Sequence, residues 1–384
     1  MNKLKITQQA IKESNLKRVF SIINETGSIP RTDIKKITGL SATTVSSLVE
    51  VLINDSLVIE TGIRPVNTSG RKAILLSANR QGAYFVGVSV LSTFMTINIY
   101  DLSLSLVLSK NIKLDQQIIL GMQIATNLTA LSSSLNILKH IRGIAVGVPA
   151  VVDSSGEKIL SSTVLNIKDE NVSSNIKVAF PYALVVICNN SSLNAYAEKE
   201  FGKTGASNIV SIDIDDGVGA GILIDGDIYS GSNGLAGEFG HTSINYMGEK
   251  CKCNSQGCLE LYLSIPSVLK RASSLLSYDC DSILKLREEL DAGNKALTDF
   301  VDDLARILSF GINNLNNILD PEAIIISGSI SALGDYFLSP LKKYVDEKLL
   351  THPDNVLRVC YSSIKENSVA IGGAKYVFDK LLIK

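Results

Sequence analysis

The sequence predicts an α/β protein in which a winged helix-turn-helix precedes two α/β lobes. Residues 8–60 repeat a 3.6-residue apolar period three times, which indicates short amphipathic helices. From Tyr84 onwards the pattern changes to the alternation typical of strands, interrupted by helical segments. The length of 384 residues exceeds what one ordinary core supports, so we expect two or three domains.

Three helices are predicted in the N-terminal segment. The first ends at Gly27, the second runs from about residue 31 to 37 and stops at Gly39, and the third begins at Ser41, a candidate N-cap. A spacing of about four residues with a glycine separates the last two helices and is typical of a helix-turn-helix. The inward-facing apolar residues are Leu16, Val19, Phe20, Ile22, Ile23, Val45, Leu48, Val49 and Leu52.

Two short strands follow at residues 57–60 and 73–77, on either side of a polar and basic loop. This pattern predicts a wing, and a linker is expected near residues 79–82. We therefore assign residues 1–78 to a DNA-binding domain. The first lobe is expected to comprise residues 79–190, with a C-terminal helix at 366–384 packed on it, and the second lobe residues 191–365.

Both lobes combine strand alternation with helical periods. Candidate strands lie at residues 85–90, 95–100, 106–113, 141–148, 183–188, 209–214, 219–224 and 323–327. Candidate helices lie at residues 117–138, 266–276, 281–292, 296–318, 338–350 and 370–382. Strands separated by helices predict two α/β lobes with a cleft between them.

The charge is unevenly distributed along the chain. A net charge of −1 argues against a nucleic-acid-binding protein, but residues 1–72 contain 11 Lys and Arg against 6 Asp and Glu, and the rest contain 26 against 32. A basic module on a slightly acidic body suits a protein whose first segment alone contacts phosphates. No apolar run approaches the roughly 18 residues that span a bilayer, so we expect a cytoplasmic protein.

The third helix is the candidate DNA-reading element, because its N-terminal residues meet base edges in a helix-turn-helix. Its small hydroxylated side chains allow close approach to DNA, and basic residues on the second helix and the wing would contact phosphates. The candidate DNA-binding residues are Arg31, Ser41, Thr43, Thr44, Ser46, Ser47, Arg64, Arg71 and Lys72. A helical bundle used for dimerisation would show the same apolar pattern, and the pattern alone leaves that alternative open.

Half of the six cysteines are crowded into eight residues, at positions 251, 253 and 258, and His241 lies just upstream. In a cytosolic chain such a cluster indicates metal binding rather than disulfides. One imidazole and three thiolates with no spare position match a closed, structural zinc site. His241, Cys251, Cys253 and Cys258 are therefore candidate zinc ligands, and the alternative is three unrelated surface thiols.

The N-terminal segment resembles the winged helix of the repressor branch of the ROK family (repressors, open reading frames, kinases), and within that branch it is most similar to the xylose repressors. The segments that carry the resemblance are residues 15–20, 27–34, 38–46, 57–60 and 69–72. Ala73 stands where the family's wing usually has Pro. Residues 238–241 and 251–260 match the ROK zinc motif, with Asn254 in place of its usual Gly.

The resemblance implies a two-lobed actin/hexokinase-like (ribonuclease H-like) body. In ROK sugar kinases the matching Glu, His and Glu hold sugar hydroxyls, and all three are present here as Glu238, His241 and Glu260. Asn190 offers an amide to a further hydroxyl. The family's sugar-binding Asn aligns with Val164 or, alternatively, with Asn166.

The residues needed for phosphoryl transfer are replaced. Ser89 and Leu91 stand in the family's first phosphate loop where Asp and Gly are expected, and Asn190 takes the place of the catalytic Asp. An amide cannot accept a proton at neutral pH. In the second loop the glycines persist, as an expected structural turn, but Asp215 and Asp216 flank the phosphate position. Like charges about 4 Å apart repel by on the order of 4 kcal/mol at an effective dielectric constant near 20.

Together these features predict a transcriptional repressor of carbohydrate-utilisation genes without kinase activity. We expect its partners to be duplex operator DNA, a sugar or sugar-derived effector bound between the lobes, and a second copy of the chain in a homodimer or dimer of dimers. Three alternatives remain at this level. They are a sugar kinase with an appended DNA-binding module, a dimeric scaffold, and a repressor that has a vestigial pocket and is regulated by a protein partner.

Overall fold

The computed structural model describes residues 8–63, 73–347, 357–364 and 366–383. These residues form two compact units. The first unit lies within Met1–Pro149, Gly156–Ile187 and Gly373–Lys384, and the second lies within Ala150–Ser155 and Cys188–Gly372. The helix-turn-helix segment therefore belongs to the same compact unit as the sheet that follows it.

The N-terminal segment folds as a three-helix winged motif. Its elements are α1 (Gln8–Thr26), β1 (Ile29–Pro30), α2 (Arg31–Thr38), α3 (Ala42–Asn54), β2 (Val58–Ile63) and β3 (Ile74–Ala78). Helices α2 and α3 meet at 117°, and Gly39 ends α2 in the left-handed conformation at φ 73°. Strand β1, which was not predicted from the sequence, pairs with β3 in a sheet of order β1-β3-β2. Two residues are too short to show an alternation.

A five-stranded sheet dominates the rest of the first unit. The elements along this part of the chain are β4 (Tyr84–Val90), β5 (Phe94–Asp101), β6 (Leu106–Lys113), α4 (Leu120–Ser134), β7 (Ile141–Val148), β8 (Val151–Val152), β9 (Ile159–Ser162), β10 (Ile167–Glu170), α5 (Val172–Ala179) and β11 (Leu184–Asn189). The strand order is β11-β7-β4-β5-β6. Strands β4, β5 and β6 form an antiparallel meander, and β4 pairs with β7 in parallel.

Helix α4 is shorter than the helix predicted at residues 117–138. The side-chain amide of Gln123 donates to the carbonyls of Asp115 and Ile118, and its carbonyl oxygen accepts from the Asp115 amide. These bonds hold residues 115–118 as a loop. At the other end Asn136 adopts a φ of 57°, which ends the helix as glycine often does.

The second unit contains a sheet of order β14-β13-β12-β15-β16, with helices packed against it. The elements along this part of the chain are α6 (Asn190–Phe201), β12 (Ile209–Ile214), β13 (Val218–Ile224), β14 (Asp227–Ile228), α7 (Glu260–Leu263), α8 (Ile265–Leu276), α9 (Ile283–Asp291), α10 (Lys295–Leu319), β15 (Ala323–Ser327), α11 (Asp335–Asp346), β16 (Arg358–Tyr361) and α12 (Ser368–Leu382). Alternate residues of β12 and β15, such as Ile212 and Ile326, share one core with helices α8 to α11.

Helix α11 begins at Asp335, three residues before the predicted start, because Gly334 at φ 58° turns the chain into it. Helix α12 begins in the second unit and ends in the first. Among the described residues no single helix has the length and apolar content to cross a membrane; only the bent pair α2 and α3 meets those criteria together.

Candidate metal centre, sugar site and nucleic-acid interface

Four metal-ligating side chains converge in the second unit. One ligand atom each of His241, Cys251, Cys253 and Cys258 lies within 4.8 Å of the others. His241 Nδ1 is 3.7 Å from the Cys251 sulfur, and the Cys253 and Cys258 sulfurs are 3.5 Å apart. The predicted ligands are therefore gathered by the fold in a compact group.

Local backbone geometry explains how residues 243–258 bring the cysteines together. The Asn254 amide donates to the Cys251 carbonyl across a tight turn, and Asn254 takes a φ of 71°. An asparagine tolerates this conformation better than most residues, so it replaces the family's Gly without loss of the turn. A bridge between Ser243 and Cys258 then places the third thiol beside the other two.

Two thiols of the group have pKa values shifted in opposite directions. Burial, followed by hydrogen bonds with Cys253 and Cys251, raises the pKa of the Cys258 thiol to about 12. A backbone hydrogen bond from Ser255 instead lowers the pKa of exposed Cys253. A thiolate at Cys258 thus needs a positive charge within bonding distance. One imidazole and three sulfurs form a donor set that fits zinc in closed tetrahedral coordination.

The expected sugar-binding carboxylates border this group. His241 Nε2, the ring nitrogen remote from Cys251, lies 3.9 Å from a carboxylate oxygen of Glu238. Burial is the main cause that raises the pKa of Glu238; the charge of His241 opposes the rise and the charge of Glu260 adds to it. The ammonium of Lys252 is 3.1 Å from a carboxylate oxygen of Glu260, a contact that was not predicted from the sequence. The position of Lys252 between two cysteines gave no sign that it would reach the carboxylate.

Gly217, in the turn before β13, lies beside Glu260, and Gly219 of β13 lies beside the start of α6. A methyl group on Gly217 would lie 3.0 Å from a carboxylate oxygen of Glu260, and one on Gly219 would lie 2.9 Å from the Ser191 hydroxyl. Glu260 therefore lies beside the turn that leads into β13, and the first turn of α6, which starts at Asn190, lies beside β13 itself.

The surviving glycines form the expected turn only in part, since two of the three lie in the strand predicted at residues 219–224. Only Gly217 lies in the turn between β12 and β13, where its carbonyl accepts from the Asp215 amide. Gly219 and Gly221 lie inside β13. A methyl group on Gly221 would come within 1.9 Å of the Ser191 carbonyl, so these glycines allow α6 to pack closely on the strand.

Three carboxylates lie at the end of β12 and in the following turn. Asp213 accepts a 2.8 Å hydrogen bond from the Ser327 hydroxyl, and burial, together with the charge of Asp215, raises the pKa of Asp213 to about 6. Asp215 accepts from the amide of Ser329 at 2.8 Å and from its hydroxyl. Asp216 is exposed. Negative charge is therefore concentrated beside the turn where a kinase would hold phosphate.

The segments predicted as the first phosphate loop and as part of the sugar site lie in the first unit. Ser89 is half-buried in β4, and Leu91, which is 42% exposed, donates its amide to Phe94 in the tight turn before β5. Of the two residues considered for sugar binding, Val164 is exposed and Asn166 adopts a φ of 52°.

The hydroxylated residues predicted to bind DNA differ in their roles: one caps α3, and the others are exposed or half-buried on it. The Ser41 hydroxyl accepts from the Thr44 amide at 3.1 Å and so caps α3. Thr43 and Ser47 are exposed one helical turn apart, whereas Thr44 and Ser46 are half-buried. The candidate base-reading surface thus centres on Thr43 and Ser47.

The basic residues predicted to contact phosphates lie in different surroundings. The Arg31 guanidinium lies 3.0 Å from Glu60 of β2, so this ion pair must open or be shared if Arg31 contacts DNA. Lys35 and Lys36 are exposed on α2. Arg64, Arg71 and Lys72, predicted on the wing, lie outside the described residues.

Comparison with known proteins gives the family of the chain. The ROK family model matches residues 86–380, which is more than half of the sequence. The chain belongs to the ROK family. It is also 30% identical to the xylose repressor of Bacillus subtilis over 98% of this chain and 97% of that protein. The DNA-binding transcriptional dual regulator NagC of Escherichia coli is 25% identical over 97% of this chain and 94% of the regulator.

Solved ROK structures agree with the α/β fold predicted from the sequence. A ROK family transcriptional regulator, described as a homologue of the E. coli MLC protein, superposes with a TM-score of 0.84 at 26% identity, over 97% of this chain and 98% of that one. A ROK glucokinase from Streptomyces griseus, solved with glucose and AMPPNP, has a TM-score of 0.64 at 21% identity over 77% of this chain and 99% of that one. The second likeness concerns the fold alone.

Proposed function

We propose that this ROK protein is a transcriptional repressor of carbohydrate-utilisation genes, and that a bound sugar changes its affinity for operator DNA. The observation that carries the proposal is its similarity to a xylose repressor over 98% of the chain, a match that includes both the winged motif and the body. The names of the relatives suggest xylose or another monosaccharide as the effector. A cytoplasmic homodimer or dimer of dimers is the expected form.

The effector is proposed to bind in the second unit at Asn190, Glu238, His241 and Glu260. The two carboxylates would accept hydrogen bonds from hydroxyls, and the amide of Asn190 would offer both a donor and an acceptor. His241 Nε2 faces away from the cysteines, so it can contact a hydroxyl while Nδ1 serves a metal. Zinc, held by His241, Cys251, Cys253 and Cys258, would fix the position of this imidazole.

A sugar weakens DNA binding only if it prefers one arrangement of the protein over another. In a dimer, two α3 helices must meet half-sites about one helical turn of DNA apart. A small reorientation of the winged motifs would therefore disrupt operator binding. The residues that carry the DNA contacts in this proposal are the exposed Thr43 and Ser47 of α3, with basic residues of α2 and the wing on phosphates.

Kinase activity is not part of the proposal. Asn190 replaces the proton acceptor of the family's kinases, and the carboxylates of Asp213, Asp215 and Asp216 oppose a triphosphate. Leu91 places a side chain in the tight turn after β4, where the kinases have a glycine.

The decisive experiment measures DNA affinity with and without sugars. Duplexes selected by the protein from a random pool would be titrated by fluorescence anisotropy in the presence of D-xylose, D-glucose or N-acetylglucosamine. We expect at least one sugar to change the dissociation constant, by about 5- to 150-fold for a typical coupling. A coupled ATP assay with the same sugars should show no turnover. ATP-dependent phosphorylation, or no DNA binding even at low salt, would overturn the proposal.

The metal proposal has its own test. Metal content of purified protein, measured by plasma mass spectrometry, should be close to one zinc per chain. Cys253→Ser should lose the metal and lower the melting temperature, since structural zinc contributes directly to folding free energy. Cys360→Ser, a half-buried cysteine of β16, is the matched control and should retain zinc. A full zinc complement in Cys253→Ser would contradict the assignment.

A further inference from the structure

The second half of α12 packs on both the winged motif and the adjacent sheet. The Phe378 ring centroid lies 5.1 Å from that of Phe85 in β4, edge to face, and 6.3 Å from that of Phe20 in α1. All three side chains are at most 3% exposed. One buried ring of the C-terminal helix therefore lies between the first helix of the winged motif and a central strand.

Two further contacts fix this half of the helix. The ammonium of Lys17 in α1 donates a 2.8 Å hydrogen bond to the backbone carbonyl of Lys380. This bond places a positive charge at the C-terminal end of α12, where the helix dipole favours it. On the sheet side, Gly143 of β7 approaches so closely that a methyl group there would lie 2.9 Å from the Val377 side chain.

The first half of α12 is attached to α6. The Ser368 hydroxyl donates a 2.6 Å hydrogen bond to the side chain of Asn194. A methyl group on Gly372 would come within 2.1 Å of the Leu193 carbonyl, so α12 and α6 pack with backbone close to backbone. Helix α6 is also the helix that begins at Asn190, a residue of the proposed sugar site.

We propose that α12 connects the sugar site to the DNA-binding motif and that Phe378 is the positioning residue that holds α1. Movement of α6 when a sugar binds near Asn190 would shift the start of α12, and Phe378 would carry that shift to the winged motif. Adjacent glycines, Gly372 and Gly373, mark the point where α12 leaves one unit and enters the other. This relay rests on the proposed function, whereas the positioning role of Phe378 is testable without any ligand.

The ligand-free test is hydrogen exchange of the full-length protein. Phe378→Ala should speed exchange of α1 amides by at least about tenfold, because the local opening free energy falls when the ring is removed. Phe378→Leu should give a smaller effect, since it keeps an apolar side chain. Lys380→Ala is the matched control, because it alters an exposed side chain of the same helix and leaves the carbonyl that Lys17 contacts. Unchanged α1 exchange in Phe378→Ala would overturn the positioning role.

The relay is tested on selected DNA duplexes with D-xylose, D-glucose and N-acetylglucosamine as probes. In Phe378→Ala the ratio of DNA dissociation constants with and without the active sugar should approach 1, although the sugar still binds by calorimetry. A ratio equal to that of the unsubstituted protein would overturn the relay. If no sugar alters DNA binding by the unsubstituted protein, the proposed function and the relay both fail, and the exchange experiment still decides the role of Phe378. Normal far-ultraviolet circular dichroism of Phe378→Ala and Phe378→Leu confirms that these variants fold.

Discussion

At the scale of single residues, Asp213 is a carboxylate whose ionised form is disfavoured by its surroundings. Burial and the neighbouring Asp215 raise its pKa to about 6, although the Ser327 hydroxyl partly stabilises the carboxylate. The folded protein therefore holds this proton more tightly than the unfolded chain. Stability must fall as the pH rises from about 4 to about 6 and must remain lower above that window.

Asp213→Asn should remove this pH dependence. The amide cannot ionise but still accepts from Ser327, so at pH 7.5 we expect a stability gain on the order of 3 kcal/mol, and near pH 4.5 a gain of only about 1 kcal/mol. Urea unfolding at the two pH values measures the difference. Asp216→Asn, at an exposed position, should change stability little at either pH. An equal stability gain for Asp213→Asn at both pH values would mean that the gain does not arise from ionisation of the Asp213 carboxylate.

Asn254, which stands where the family's zinc motif usually has Gly, adopts a positive φ of 71°. Asparagine tolerates this left-handed conformation better than most residues with a side chain. Asn254→Ala should therefore destabilise the turn by about 1 kcal/mol, because a β-carbon without a compensating side-chain hydrogen bond is strained there. Asn254→Gly should be neutral. Thermal unfolding and the rate of zinc loss to a chelator measure both effects, and equal behaviour of the two variants would contradict the explanation.

At the scale of elements, substitutions at the N-cap of α3 can distinguish an effect on stability from an effect on DNA binding. Ser41→Ala removes the hydrogen bond to the Thr44 amide and should cost about 1 kcal/mol of stability. Ser41→Asp keeps the cap and interacts favourably with the helix dipole, but it adds a negative charge at the helix end that is proposed to face DNA phosphates. We expect Ser41→Asp to retain the melting temperature and bind DNA more weakly, as measured by thermal unfolding and anisotropy. Normal DNA affinity of a folded Ser41→Asp would exclude this helix end from the interface.

The close contact between β13 and α6 predicts that alanine substitutions at two glycines of β13 reduce stability by different amounts. Gly221→Ala would bring a methyl group within 1.9 Å of the backbone carbonyl of Ser191, whereas Gly219→Ala meets only the Ser191 hydroxyl at 2.9 Å. A side chain can rotate away and a backbone cannot, so Gly221→Ala should destabilise far more, by about 2 kcal/mol or more. Denaturant unfolding ranks the two. Equal small losses would indicate that close packing is not the reason for these glycines.

At the scale of the whole molecule, the basic segment on an acidic body predicts strongly salt-dependent DNA binding. The logarithm of the binding constant should fall linearly with the logarithm of salt concentration, by about 0.9 for each phosphate contact. Lys35→Ala, at an exposed position of α2, should reduce the slope by about that amount. Lys203→Ala, exposed in the second unit, should leave the slope unchanged. A slope that responds to Lys203 instead would place the DNA on the body.

Long, strongly patterned elements were predictable. The strand pattern at 106–113 was recovered as β6, and Ser41 was correctly predicted as a cap, because local periodicity and capping chemistry decide these features. The ends of α4 were not predictable, since a side chain of the helix itself, Gln123, holds the preceding loop. Helix α6 was missed, because it is nearly all buried and shows little amphipathic contrast.

The sequence by itself determined the chemistry of the protein: which ligands are available to a metal, which carboxylates and amides are available to a sugar, and which residues of a kinase are absent. Only the tertiary structure decided what those groups contact. It paired Lys252 with Glu260 and Arg31 with Glu60, turned two glycines from a loop motif into a packing surface, and placed Phe378 against α1. The physical reason is that residue type and local spacing fix what a side chain can do, whereas contacts between residues distant in sequence depend on how whole elements pack.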